Sequence, residues 1–151
     1  MAVYLNANSS STGQSFGPTS GTVVIRLSQA TVASDPKIFD AGRSAFIAPI
    51  AGVYRLTAGA VFGGGNGSTD GVIMGFSVNG QPPFPSGSGN DLDTTNVVVF
   101  QPGGFTRPPV AQTLSVLLKL NAGDTVQFAL DGIDQATFGG DYSYLTVTLV
   151  S

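Results

Sequence analysis

The 151-residue chain contains no cysteine, no histidine, no tryptophan and no glutamate. Without cysteine there is no disulfide framework and no thiolate metal site. Without histidine the commonest general base is missing, and Ser-His-Asp chemistry is excluded. Charge is scarce as well: nine Asp and six basic residues make up 10% of the chain, against roughly 25% in an ordinary soluble domain. The basic residues are scattered at positions 26, 37, 43, 55, 107 and 119, and the net charge is −3. Phosphate binding needs clustered Lys and Arg, so neither nucleic acid nor an anionic membrane is an expected partner. No apolar run approaches the roughly 20 residues that span a bilayer. The opening Met1–Ser10 has no basic n-region, so no signal peptide is expected.

What fills the space is Gly (21), Pro (9), Ser, Thr and Asn, beside 42% hydrophobic residues. Glu and Lys populate exposed helix faces, and their scarcity argues against helices. Turn formers between short apolar runs argue for an all-β chain. Thr22–Leu27 reads as a strand, with Val23, Ile25 and Leu27 on one face. Ser44–Ala48 is a short strand ended by Pro49. Gly52 opens the longest alternating run, with Tyr54, Leu56, Ala58, Ala60 and Phe62 pointing one way. Gly63–Gly67 is read as a loop, and so are 81–93 and 131–141. Further strands are expected at Val72–Val78, Val97–Phe100, Thr113–Leu120, Thr125–Leu130 and Tyr142–Val150. Asn79-Gly80 is a strong hairpin signal, and Gly123-Asp124 closes a second turn. Eight or nine short strands indicate a sandwich or barrel. Residues 1–20 read as a polar N-terminal arm ahead of a domain over 21–151. Within the arm, Val3, Tyr4 and Leu5 could form a strand that docks on a neighbouring subunit or larger assembly.

Several landmarks fall in an order that resembles a known family. Phe39-Asp40, Gly42, Phe46, Pro49, Gly52-Val53-Tyr54 and Leu56 resemble the signature of the globular head of complement component 1q. Phe76-Ser77-Val78-Asn79-Gly80 resembles that family's strand ending in Asn-Gly. Leu117 to Val126, with Gly123-Asp124 inside it, resembles its Gly-Asp hairpin. Ser143-Tyr144-Leu145 lies where the family has its aromatic-rich last strand. The likeness covers about residues 22–151. It implies a two-sheet antiparallel jelly-roll sandwich of the tumour-necrosis-factor type, packed as a homotrimer. Independently of the resemblance, Gly123 is expected at positive φ, Asp124 as a cap on nearby amides, and Gly52 as the corner between sheets.

The aromatics admit two readings. Tyr54, Phe76 and Phe128 suit a core, whereas Tyr54, Phe128, Tyr142 and Tyr144 are the candidates for a trimer interface. Phe84, Phe105 and Phe138 lie in loop sequence, either packed or presented to a partner. Paired carboxylates occur at Asp91/Asp93 and Asp131/Asp134, with Asp141 beyond. They sit in Gly-rich sequence rather than on rigid elements, which disfavours glycosidase chemistry. Calcium could use Asp91 and Asp93, but no complete loop motif is present, so no metal or cofactor is expected. The chain is therefore read as a non-enzymatic structural protein: a trimer that decorates or cements a larger assembly, a virus or phage capsid or fibre, and so resides in the virion after synthesis in a host cytoplasm, or otherwise at an extracellular surface. The alternative is a trimeric recognition head for a carbohydrate or receptor protein, carried by the long loops.

Overall fold

The computed structural model describes residues 1–9, 14–16, 22–66, 72–81, 97–100, 110–131 and 137–151. Its longest strand, β7 in chain order (Gly52–Asn66), buries Tyr54, Leu56, Ala58, Ala60 and Phe62 on one face, as the period-two alternation requires. Eleven further strands surround it among the described residues. They are β1 (Tyr4–Asn8), β2 (Gln14–Phe16), β3 (Val23–Val24), β4 (Gln29–Ala33), β5 (Phe39–Asp40) and β6 (Ala45–Ile47). After β7 come β8 (Val72–Val78), β9 (Val97–Phe100), β10 (Val110–Leu120), β11 (Thr125–Asp131) and β12 (Thr137–Leu149). The first six-stranded sheet runs β10-β7-β12-β1-β4, with β2 on β12; the second runs β5-β6-β11-β8-β9, with β3 on β11. All the pairings are antiparallel.

The two sheets close on a shared apolar core. Leu114, Val116, Leu118, Leu145 and Val147 come from the first sheet, and Phe46, Met74, Phe76, Val126, Phe128 and Leu130 from the second. The Phe46 and Tyr54 rings meet edge-on at 5.5 Å, across the gap between sheets. Each large side chain removed from water contributes about 1.5–3 kcal/mol, so this layer is what holds the sheets face to face.

The N-terminal segment differs from the expected arm. Val3, Leu5 and Ala7 are buried, and β1 is bonded on one side to β12 and on the other to β4. β1 and β2, both within the expected arm, are thus strands of the first sheet, while residues 17–21, where the boundary was expected, lie outside the described residues. The alternation Val3, Leu5, Ala7 buries one face of β1, and that burial outweighs the polar composition around it. Two expected loops are also partly strand. β7 continues through Gly63–Asn66, and β12 begins at Thr137, because the two pair with each other there. The loop read over 81–93 lies outside the described residues beyond Gln81.

The expected strand at Thr22–Leu27 is shorter than its alternation suggests, because the chain here changes sheets. Val23 and Val24 pair with β11, while β4, a few residues on, pairs with β1. The intervening backbone finds a partner at every N–H. Ile25 N–H donates to Phe128 O at 2.9 Å and Ser28 N–H to Asn8 O at 2.9 Å. Arg26 N–H donates to Gln14 Oε1 at 2.8 Å, and Gln14 Nε2 donates back to Arg26 O at 2.9 Å. Leu27 N–H donates to Ser44 Oγ at 2.8 Å, whose hydroxyl lies 3.1 Å from Leu27 O. Gln14 and Ser44, both buried, act as strand surrogates, satisfying amides that would otherwise be desolvated without a partner.

Candidate functional site

The outward face of the first sheet is where the described surface departs from an ordinary solvated one. The register lines up its side chains in rows across β10, β7, β12 and β1. Ser115, Thr57, Thr146 and Asn6 form one row, and Thr113, Gly59, Tyr144 and Asn8 the next. Leu117, Arg55, Thr148 and Tyr4 form the row on the other side. Hydroxyls link neighbouring strands within the first two rows. Thr57 Oγ1 and Ser115 Oγ lie 2.9 Å apart, and Thr146 Oγ1 donates to Thr57 O at 3.3 Å. The Tyr144 ring lies across Gly59, where a Cβ would meet its ring and hydroxyl at 2.9 Å, and its OH is 3.5 Å from Thr113 Oγ1. Gly59 therefore lets the tyrosine lie flat, which keeps the centre of the face level.

Charge is nearly absent here. Among residues whose side chains are described, Arg55 and Lys119 carry the charges of the β7–β10 pair on this face. Among the described residues, the exposed large hydrophobic residues apart from the terminal Met1 belong to the same sheet or its end: Tyr4, Val32, Tyr142 and Val150, at 44, 53, 69 and 52% exposure. Tyr142 stands in a bulge between Asp141 and Tyr144, at φ 53°. A bulky residue in that left-handed region is strained, and the bulge turns its ring out to solvent.

The candidate interface residues split accordingly. Tyr142 and Tyr144 lie on this face, and Tyr4, read as part of a docking arm, joins them two rows away. Tyr54 and Phe128 do not. Both are fully buried, Tyr54 against Phe46 with its OH donating to Ile50 O at 2.7 Å, and Phe128 against Phe76 at 6.4 Å. Burial pushes the Tyr54 phenol above its ordinary range. These two belong to the core because their inward positions in the alternation decide their environment, whatever their aromatic character. Val3 and Leu5 are likewise core rather than docking residues. Thr57, Gly59, Thr113, Ser115 and Thr146 escape attention in the sequence. Their signal is that the off-core positions of long strands carry Thr, Ser and Gly where Lys or Glu would be usual.

The turn residues occupy the opposite end of the sheets from the Tyr142 bulge. Asn79 and Gly80 take φ 51° and 78°, and Gly123 takes φ 89°, as tight turns demand. Neither turn closes the expected hairpin: among the described residues β8 is followed by β9 only at Val97, and β10 and β11 lie in different sheets. Asp124 caps as expected, with Oδ2 accepting Asn121 N–H at 2.7 Å and Oδ1 accepting Asn79 Nδ2–H at 2.8 Å. Gly52 opens β7, where the chain passes from β6 of the second sheet into the first. A Cβ there would lie 2.6 Å from Leu149 Cδ1 and 2.7 Å from Ser151 O, so its lack of a side chain admits the end of β12. Asp91, Asp93, Asp134, Phe84 and Phe105 lie outside the described residues, and Phe138, Asp131 and Asp141 are described only in backbone. Among the described residues no group of three metal-ligating side chains comes together.

No protein-family model matches the chain, and no curated protein matches it. Solved structures do. The globular domain of zebrafish complement 1qA aligns over 99% of this chain and 97% of its own, with 14% identity and a TM-score of 0.55. Murine APRIL aligns over 99% and 100% respectively, with 10% identity and a TM-score of 0.59. Eiger TNF from S. frugiperda aligns over 100% and 92%, with 11% identity and a TM-score of 0.56. The chain has the jelly-roll fold of complement 1q and tumour-necrosis-factor domains, with its described strands in two antiparallel sheets.

Proposed function

We propose that the chain is a non-enzymatic building block, a homotrimer closed by the outward face of the first sheet and carried on a larger protein assembly, a virus or phage particle. The observation that supports the trimer is the makeup of that face. One-sided antiparallel sheets normally turn a polar, charged face to water. Interfaces are instead depleted in charge and enriched in tyrosine, and this face presents Tyr4, Tyr142 and Tyr144 among Thr, Ser and Val, with Arg55 and Lys119 toward one end. Association would cover the exposed hydrophobics that a monomer leaves in water. The likeness in fold to complement 1q and tumour-necrosis-factor domains supports the same reading.

The particle role rests on chemistry and architecture together. A chain with neither histidine nor cysteine lacks the usual nucleophile–base pairs, and the jelly roll is a common capsid architecture. Sedimentation equilibrium at micromolar concentration should return three times the 15.3 kDa chain mass. Immunogold labelling of purified particles from the source should decorate their surface. A monomer in the first experiment overturns the trimer, and unlabelled particles overturn the virion role while leaving the trimer standing.

A further inference from the structure

The Asn79-Gly80 turn carries chemistry that its structural role does not use. An Asn followed by Gly is the dipeptide most open to attack by the following backbone nitrogen, because Gly has no Cβ to shield it. Both residues are exposed, and a Cβ on Gly80 would meet nothing within 4 Å. Yet the Asn79 side-chain amide is held at both ends. Its Nδ2 donates to Asp124 Oδ1 at 2.8 Å, and its Oδ1 accepts from Thr125 N–H at 2.9 Å. Thr125 Oγ1 approaches the same oxygen at 3.4 Å, while Asn79 N–H donates to Thr125 O at 2.9 Å.

We propose that Asn79 is a self-deamidation site kept closed by Asp124 and Thr125, and that opening this clasp commits the turn after β8 to an irreversible loss of stability. In the reaction the Gly80 nitrogen attacks Asn79 Cγ. The new N–Cγ bond forms as the Cγ–Nδ2 bond breaks, ammonia leaves with the proton from the Gly80 nitrogen, and a five-membered succinimide remains. Water then opens that ring at either carbonyl, giving Asp or isoAsp at position 79. Ring closure requires the side chain to leave both of its partners, so the clasp sets the rate. The product cannot rebuild the clasp. A carboxylate at 79 faces the Asp124 carboxylate where an N–H donor stood, and two carboxyls in contact resist joint ionisation. Asp124 also holds Asn121 N–H, and its carbonyl accepts Ala48 N–H at 2.9 Å. The disturbance therefore spreads from the β8 turn to the turn that carries the chain from β10 in the first sheet to β11 in the second, and to the corner before β7.

The test is peptide-resolved mass spectrometry of the full chain at pH 8 and 37 °C, reading the one-dalton gain and isoAsp at position 79. The folded chain should deamidate there at least about tenfold more slowly than the same chain in denaturant, the factor one hydrogen bond to a charged group supplies. Asp124→Ala, if folded, should recover most of that factor. Equal rates in folded and denatured chain overturn the proposal without needing any variant. A second arm uses Asn79→Asp, whose melting temperature should match the native chain below about pH 4 and fall behind it as pH rises. The sign follows from a raised carboxyl pKa in the folded state, whose stabilisation is lost as pH climbs past it. A deficit that does not change with pH contradicts the repulsion at its core.

Discussion

Replacing Gln14 by Ala removes the side chain that serves as a partner strand for Arg26. Two bonds to the Arg26 backbone disappear, at 2.8 and 2.9 Å, along with the 3.3 Å contact from Nε2 to Ser143 Oγ. Gln14 is only 4% exposed, so its removal leaves an N–H and a C=O facing a small cavity. Each orphaned group costs about 1–3 kcal/mol, and water entering the gap offsets part of that, leaving about 3 kcal/mol in total. For a chain of this length each kcal/mol shifts the melting temperature by about 2–4 °C, so Gln14→Ala should melt about 6–12 °C below the native chain. Gln14→Glu sharpens the test, because it keeps size and shape. Ionised, its second oxygen confronts the Arg26 carbonyl; protonated, it donates as the amide did. Its carboxyl is therefore raised in the folded state, and the variant should be close to native at pH 3 and destabilised as pH rises through the raised value. Thermal unfolding followed by circular dichroism across pH 3–8 reads both effects. A Gln14→Ala melt within 2 °C of native, or a Gln14→Glu deficit that stays constant with pH, would falsify the strand-surrogate account.

Gly52→Val drives a side chain into Leu149 and the Ser151 carbonyl, and should cost about 1–3 kcal/mol by overpacking, read from urea midpoints. Gly123→Val has open space around it but φ 89°, so its cost of about 1–2 kcal/mol comes from backbone strain alone; Gly123→Asn should recover part of it. Tyr142→Gly relieves the φ 53° strain and should raise the unfolding free energy of the isolated chain by about 1 kcal/mol, measured below the association concentration. The same variant should weaken self-association, since it removes the most exposed aromatic of the face.

Much of the fold is legible in the chain because burial and alternation coincide in its long strands. Tyr54 through Phe62 announce their faces without ambiguity, and the Gly-Asp and Asn-Gly turns carry their own backbone requirements. The elements that escape are those whose partners are distant. Val3 just before β1, and Leu5 and Ala7 within it, are the buried apolar residues amid Asn, and the pairing of β1 with β12 and β4 cannot be seen locally. Gln14 and Ser44 are polar residues buried for the sake of another segment's backbone, a role that no periodicity marks. At the candidate site, composition signals a face low in charge, but only the register reveals that Tyr144, Gly59 and Thr113 share a row. Aromatic identity is the weaker guide: Tyr54 and Phe128 follow their inward parity into the core.

The claim that the first sheet's outward face closes a homotrimer is tested most directly by placing one charge at its centre. Thr57 sits in the middle row, hydrogen-bonded to Ser115 and beside Thr146, so Thr57→Glu leaves the core untouched and puts one unpaired carboxylate per copy into the contact. Burying such a charge costs several kcal/mol. Sedimentation equilibrium at the same micromolar concentration should find the native chain trimeric and Thr57→Glu monomeric, with unchanged far-ultraviolet circular dichroism. A native monomer, or a Thr57→Glu chain that remains a trimer, would contradict the account.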